Sequence, residues 1–231
     1  SGGAERMLRD SLERSLDRLG IPRVDVLMLH TPDVLRTPHA EAVSRAMRAL
    51  QREGLIGCAG VSLGTCSGER FPPEWEAVLG ETFAAVQLPV SVLDQRWIRS
   101  GGLRMLHEAG KTLFIRSVFL QGLIFLEEEA MPQPLRPAAA AIRMLRETAE
   151  REGVSPAQLA LSFVRDLPEA DSLVIGAEKV EQLEENAALI AGPSLSGAAA
   201  ERIRALPQLP EDILNPAYWP NAQKASDNLN R

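Results

Sequence analysis

The chain has 231 residues, 45% hydrophobic and 24% charged, with 17 Gly, 16 Pro and a formal net charge of −6. Such figures belong to one soluble globular domain: wholesale disorder is excluded, no apolar stretch approaches the roughly 18 residues of a spanning helix, and the start SGGAERMLRD has no apolar h-region, so the expected setting is cytoplasmic, away from membranes. The acidic balance, with no run of Lys or Arg, argues against a nucleic-acid surface, and Cys58 and Cys66 have no metal-ligand spacing and fit a reducing compartment.

In chain order, Leu8, Leu12, Leu16 and Leu19 form one stripe of an otherwise charged helix that Gly20 stops. The first strand follows at Val24–Leu29, then a helix on Val43, Ala46, Met47 and Leu50, ended by Gly54. Further strands are expected at Cys58–Ser62, Ala85–Leu88, Leu113–Ser117 and Leu173–Ile175, each short, apolar and rich in branched side chains. Apolar pairs at helical spacing fill the gaps: Leu103 with Leu106, Ile142 with Leu145 and Ala149, Leu159 with Phe163, and Val180 with Leu183, Ala187 and Ile190. Ser155-Pro156-Ala157-Gln158 reads as a capping box with Pro at the first helical position, so a new helix starts there. Strands that are apolar on both faces and alternate with helices indicate parallel βα units. From Pro207 onward the chain has four prolines, many amides and no period, and is expected to run extended.

The fold class is therefore α/β of the (β/α)8, TIM-barrel type. About five of eight βα units are represented, as a partial barrel over residues 1–206 followed by a C-terminal tail over 207–231. A helix before the first strand has no strand of its own in a β-then-α repeat. The length is also short for eight units, and the expectation is that an N-terminal part is absent from this chain.

The order of motifs resembles the aldo-keto reductase family. SLERSLDRLGIPRVDVLMLHTPD (Ser11–Asp33) is similar to the family's "LGxxxVD" helix and strand ending in "LH"; GLIGCAGVSLGT (Gly54–Thr65) to its "GxIxxxGVSN" strand. AAVQLPVSVLDQR (Ala84–Arg96) and GKTLFIRSVFLQGLI (Gly110–Ile124) resemble the next two strands. VSPAQLALSFV (Val154–Val164) and SLVIGAEKVEQLEENAALI (Ser172–Ile190) resemble the dinucleotide-binding end. The resemblance implies NADP(H), or less often NAD(H), bound across the C-terminal ends of the strands, and hydride transfer to a small-molecule aldehyde or ketone without a metal. A proton donor and a nearby cation suit such a reaction, because negative charge grows on the carbonyl oxygen as hydride reaches carbon.

Carried over residue by residue, the resemblance makes His30 the catalytic histidine that orients the carbonyl. Ser62 and Gln87 would hold the nicotinamide carboxamide, with Leu63 standing where the family usually has Asn. Arg116 would stack on the nicotinamide or pair with a carboxylate, and Ser117, Phe119, Gln121 and Gly122 would wrap the pyrophosphate. Gly176, Ala177, Gln182, Glu185 and Asn186 would form the adenosine end, Gly176 and Gln182 standing where many relatives place Lys and Arg on a 2′-phosphate. The remaining family residues, an Asp, a Tyr and a Lys, have no counterpart in these motifs. The single tyrosine, Tyr218, lies in the tail; of the three lysines, Lys111 precedes a strand at its structural end, Lys179 opens the last long helix and Lys224 is near the C-terminus. The expected function is NAD(P)H-dependent carbonyl reduction with the proton donor outside this chain; the alternative is a catalytically degenerate dinucleotide-binding regulator or sensor. Phe71, Trp75, Tyr218 and Trp219 either line a substrate pocket or pack the barrel end. The oligomeric state stays open between monomer and homo-dimer.

Overall fold

In the computed structural model the described residues are 2–64 and 74–219; Cys66, Phe71 and Lys224 lie outside them. Helix α1 (Gly2–Leu19) leads into β1 (Val24–Leu29), α2 (Ala40–Arg52), β2 (Ile56–Ser62), α3 (Trp75–Leu79), β3 (Phe83–Pro89), α4 (Arg96–Arg99), α5 (Gly102–Glu108) and β4 (Thr112–Arg116). Then come α6 (Ala139–Glu152), α7 (Pro156–Arg165), β5 (Ser172–Val174), α8 (Val180–Ile190), α9 (Gly197–Arg204) and α10 (Glu211–Leu214). One sheet carries the strands in chain order, β1-β2-β3-β4-β5. The ladders of β1 with β2 and of β2 with β3 are parallel. Five βα units side by side in chain order form part of a (β/α)8 barrel.

The chain divides into two compact units, residues 1–88 with 101–114 and residues 89–100 with 115–231. In the first, α1 turns Leu12 and Leu16 inward and packs on α2, whose buried side chains are Val43, Ala46, Met47 and Leu50. Arg9 grips Glu53 through two hydrogen bonds of 2.7 Å, which hold the Glu53 carboxyl below its ordinary value. Between β1 and β3, Gly60 has no room for a side chain. A Cβ there would stand 2.8 Å from Met28 Cγ and 2.9 Å from the Ala85 carbonyl oxygen, at a register shift between Ala59 and Gly60. Trp75 is buried.

The second unit is built on α7, where every residue from Gln158 to Val164 is buried. Ser155 caps that helix by accepting from the Gln158 amide N–H at 3.1 Å, half of the expected capping box. The Gln158 side chain does not return to Ser155; its Nε2 donates to the Ser162 hydroxyl at 2.7 Å and to the Leu189 carbonyl at 2.8 Å, tying α7 to α8. The α8 stripe expected to be buried is instead exposed, with Val180 at 69%, Leu183 at 62% and Ile190 at 46%. The packed face is the one carrying Asn186 and Leu189, both half-buried, because α8 meets α7 at its Leu189 end. The segment after Pro207, expected to run extended, is interrupted by two short turns that prolines open: α10, capped by Pro210, and the turn Pro216–Tyr218. Among the described residues, no helix is long and apolar enough to cross a membrane.

Strands β1 and β5 are the outer strands of the sheet, and an outer strand presents unpaired N–H and C=O groups that template pairing. The purified 231-residue chain is therefore expected to self-associate: light scattering should give a mass above 25.2 kDa, and one monodisperse species at that mass contradicts it. Gly60→Ala is expected to lower stability to urea by about 1–3 kcal/mol through overpacking; an unchanged midpoint shows that the strands can yield.

Candidate functional site

In the first unit, the ladder itself assembles the residues expected at the strand ends. It pairs Leu29 with Val61, so the next step brings His30 level with Ser62, and Ser62 is paired with Gln87 on β3. Alternation along each strand does the rest: Val61, Leu63, Val86 and Leu88 are buried, while Ser62 and Gln87 between them are half-buried. The Ser62 hydroxyl donates to Gln87 Oε1 at 3.1 Å, and the Leu63 N–H donates to the Gln87 carbonyl at 2.7 Å. His30 is exposed just past the end of β1.

In the second unit, Arg116 ends β4 half-buried, and its Nη1 donates to Ser117 Oγ at 3.1 Å. Burial pulls the guanidinium below its ordinary value, while the negative charge of Asp94 opposes that. Asp94 belongs to a buried cluster. It takes Arg96 Nε and Nη2 on its two oxygens, each at 2.8 Å, with the partners 2% and 3% exposed, and Ser91 Oγ accepts the Leu93 and Asp94 N–H groups. Gln95 beside them donates to the Val92 and Ile203 carbonyls, fixing this turn on α9.

After Ser117 the backbone leaves the ordinary regions. Ser117, Leu120 and Gln121 have φ of 64°, 45° and 52°, and Gly122 has 80°. Positive φ at three residues that are not glycine is costly, and such clusters occur where a site needs them. Val118, Leu120, Leu123 and Ile124, read as core, are each at most 3% exposed. Gln121 and Phe125 are left outward, and Phe119 meets Phe125 with ring centroids 5.4 Å apart and planes tilted by 47°.

These two rings help to line a cleft of about 140 Å³ with Ala157, Gly176, Gln182, Glu185, Asn186 and Leu189. Five of the expected cofactor residues, Phe119, Gly176, Gln182, Glu185 and Asn186, thus converge. Arg116, Ser117, Gln121, Gly122 and Ala177 do not line it. Its size is below the roughly 300–1,000 Å³ of a site enclosing a drug-sized ligand, so it suits one part of an extended molecule. Phe125, Ala157 and Leu189 were missed by sequence reasoning. The signal for Phe125 was Gln121-Gly122, a dipeptide able to turn the chain back and return a second aromatic to the first.

The alternative proton donors and cations stand elsewhere. Lys111 is one residue before β4, at the end of the strand opposite to Arg116, and its Nζ donates to the Gly80 carbonyl at 2.6 Å; burial pulls its ammonium down. Tyr218 is 63% exposed in the tail, and Lys179 is the cap residue of α8.

The sequence model of the aldo/keto reductase family matches residues 1–207. The chain is 30% identical over 212 residues to the L-glyceraldehyde 3-phosphate reductases of Escherichia coli O157:H7 and of Escherichia coli strain K12, an overlap that covers 80% of this chain and 59% of each relative. It thus spans 59% of the length of those curated relatives. Among solved structures, the holo form of the aldo-keto reductase AKR11C1 from Bacillus halodurans superposes with a TM-score of 0.74 at 18% identity, covering 91% of this chain and 71% of that one. The thermostable aldo-keto reductase Tm1743, in complex with the inhibitor epalrestat, superposes with a TM-score of 0.68 at 26% identity, covering 87% and 66%.

Removing one member of a buried ion pair leaves the other charge without compensation. Asp94→Ala is accordingly expected to destabilise the protein by about 3–5 kcal/mol in urea denaturation; a loss under ~1 kcal/mol, the size of an exposed pair, contradicts a role for this cluster in fixing the turn after β3.

Proposed function

The chain belongs to the aldo/keto reductase family, and from that membership we propose that it carries the dinucleotide-binding and carbonyl-orienting part of an oxidoreductase that reduces an aldehyde or ketone. The cofactor is a nicotinamide dinucleotide, NADP(H) or NAD(H). One observation carries the reading: five residues expected to meet the cofactor converge on a single cleft lined by two aromatic rings, amide groups and a carboxylate. Such a lining suits a flat base that donates hydrogen bonds from its edge.

Each set of residues has a separate task. Phe119 and Phe125 cover the base, with Asn186 and Glu185 as partners for its polar edge. The turn Ser117–Gly122, with positive φ at Ser117, Leu120, Gln121 and Gly122, wraps the phosphates. Ser62 and Gln87, joined by their hydrogen bond, hold the carboxamide. The nicotinamide, when bound, supplies hydride to the carbonyl carbon. The imidazole of His30 donates a hydrogen bond to the carbonyl oxygen, where negative charge grows, and so lowers the barrier without itself needing to give up a proton. The proton that completes the alcohol comes from a group this reading does not assign to the chain, because Lys111 is engaged with the Gly80 carbonyl and Tyr218 stands exposed in the tail.

That last point favours a second reading, a dinucleotide-binding sensor or regulatory subunit without turnover. Titration of NADH and NADPH by tryptophan fluorescence, followed by assay of dinucleotide oxidation with a set of aldehydes, separates the two. The phosphorylated aldehyde in the name of the Escherichia coli relatives is the first to try. Binding with turnover supports the reductase, and His30→Ala should then lower kcat roughly 10²-fold while leaving dinucleotide affinity unchanged. Unchanged turnover in that variant removes His30 from the reaction. Binding without turnover supports the sensor, and no binding of either dinucleotide overturns both.

A further inference from the structure

The sequence has no run of basic residues, yet helix α2 gathers three arginines by spacing alone. Arg45, Arg48 and Arg52 stand at i, i+3 and i+7, which puts them on one face and spreads them over about 10.5 Å of helix. With Gln51 they line a surface cleft of about 580 Å³ in the first unit, and that lining holds no carboxylate among the described residues. All four are exposed, on the side of α2 away from the buried Val43, Ala46, Met47 and Leu50. Their own partners offset little of the charge. Arg48 donates to the Thr82 hydroxyl, and Arg52 Nε donates to the Arg48 carbonyl at 3.2 Å, so both guanidiniums are held in place by neutral oxygens. Arg45 pairs with Glu41, an exposed contact of the kind worth little and readily exchanged. The carboxylate that Arg52 does influence, Glu53, is already gripped by Arg9. In a chain of net charge −6 this face is a local reversal of sign.

We propose that this face of α2 docks an acidic helical segment of a partner protein, whose carboxylates meet Arg45, Arg48 and Arg52 in turn. A guanidinium presents a planar fork of donors that matches a carboxylate, and rows of arginine are a recurring means of recognising acidic segments. Carboxylates at i, i+3 and i+7 of a second helix rise by the same steps as the three arginines, so each finds one partner when the helices lie side by side. A single phosphate is too compact to engage the whole row. A nucleic acid would need basic groups beyond it, which a chain of net charge −6 does not supply in any run. The proposal is independent of the dinucleotide reading, since none of these residues belongs to the cofactor or carbonyl sites.

Isothermal titration of the full chain with a synthetic alanine-rich helical peptide carrying Glu at i, i+3 and i+7 tests this. The comparison ligands are a peptide of the same composition with its three Glu adjacent, inorganic phosphate and a single-stranded oligonucleotide. The spaced peptide is expected to bind at low salt and to weaken toward ~1 M salt, where screening acts over about 3 Å. The double variant Arg48→Gln with Arg52→Gln, which keeps polar side chains at exposed positions, should weaken it roughly tenfold. Replacing the same two residues by Lys should restore much of the affinity, and Arg14→Gln on α1 should leave it unchanged. No binding of the spaced peptide, or equal binding by the Arg48→Gln, Arg52→Gln variant, overturns the proposal. Binding of the adjacent-Glu peptide, phosphate or the oligonucleotide as tightly as the spaced peptide also overturns it, because the row would then not be read as a helix.

Discussion

Hydrogen bonding between parallel strands sets where the chemistry stands. The ladder aligns Leu29 with Val61 and Ser62 with Gln87, and from those pairings follow the level of His30, the contact of the Ser62 hydroxyl with Gln87 Oε1 and the burial of Val61, Leu63, Val86 and Leu88 on either side. Side chains repeat every two residues along a strand. A slip of one would exchange the polar pair for its apolar neighbours, setting Ser62 and Gln87 into the packed positions. Gly60 supports this register, since it leaves space for Met28 and the Ala85 carbonyl where the strands come closest. The polar strand ends are thus a consequence of core packing, and no separate device is needed to place them.

The second unit reaches its site by a different route, through an irregular turn held by burial. Positive φ at Ser117, Leu120 and Gln121 costs on the order of 1–3 kcal/mol per residue. Side chains sunk on either side of the strain, Val118, Leu120, Leu123 and Ile124, each contribute roughly 1.5–3 kcal/mol when fully buried, enough to hold the turn. The result is that Phe119 and Phe125, six positions apart, share one cleft with Gly176 and with Gln182, Glu185 and Asn186 of α8. Arg165 steadies the far end of that helix by donating to the Ile190, Gly192 and Pro193 carbonyls. Helix α8 is therefore fixed at its end and at its Gln158 contact while its first turn stays outside, with Val180 and Leu183 exposed.

Much of this was legible in the sequence wherever a periodic pattern and burial agree. Strand β1 runs over the residues expected, and Leu12, Leu16, Met47 and Leu50 are buried as their spacing requires. Strand ends drifted by one or two residues where a glycine or an alanine hides a pairing: Gly57 lies against the Asp25 carbonyl, so β2 begins at Ile56 rather than Cys58. Two features were illegible for a deeper reason. The stripe of α8 repeats correctly, yet which face packs is decided by a partner, and Gln158 draws in the Leu189 side. Likewise Phe125 reaches the cleft only because Gln121 takes a left-handed conformation, which no propensity would have assigned to a glutamine with assurance. The same holds for Gln182, whose Oε1 accepts the Glu178 and Lys179 N–H groups just before α8.

The central claim is that the turn after β4 and the cleft walled by α8 together hold the adenosine and phosphate portion of a nicotinamide dinucleotide. Hydrogen exchange measured by mass spectrometry, with and without saturating NADH, tests this most directly because it reads the backbone amides themselves. The account predicts slowed exchange in peptides covering residues 117–126 and 176–189, with the region around Lys111 and Gly80 unchanged. Exchange that slows elsewhere while these two segments stay as they were would contradict it.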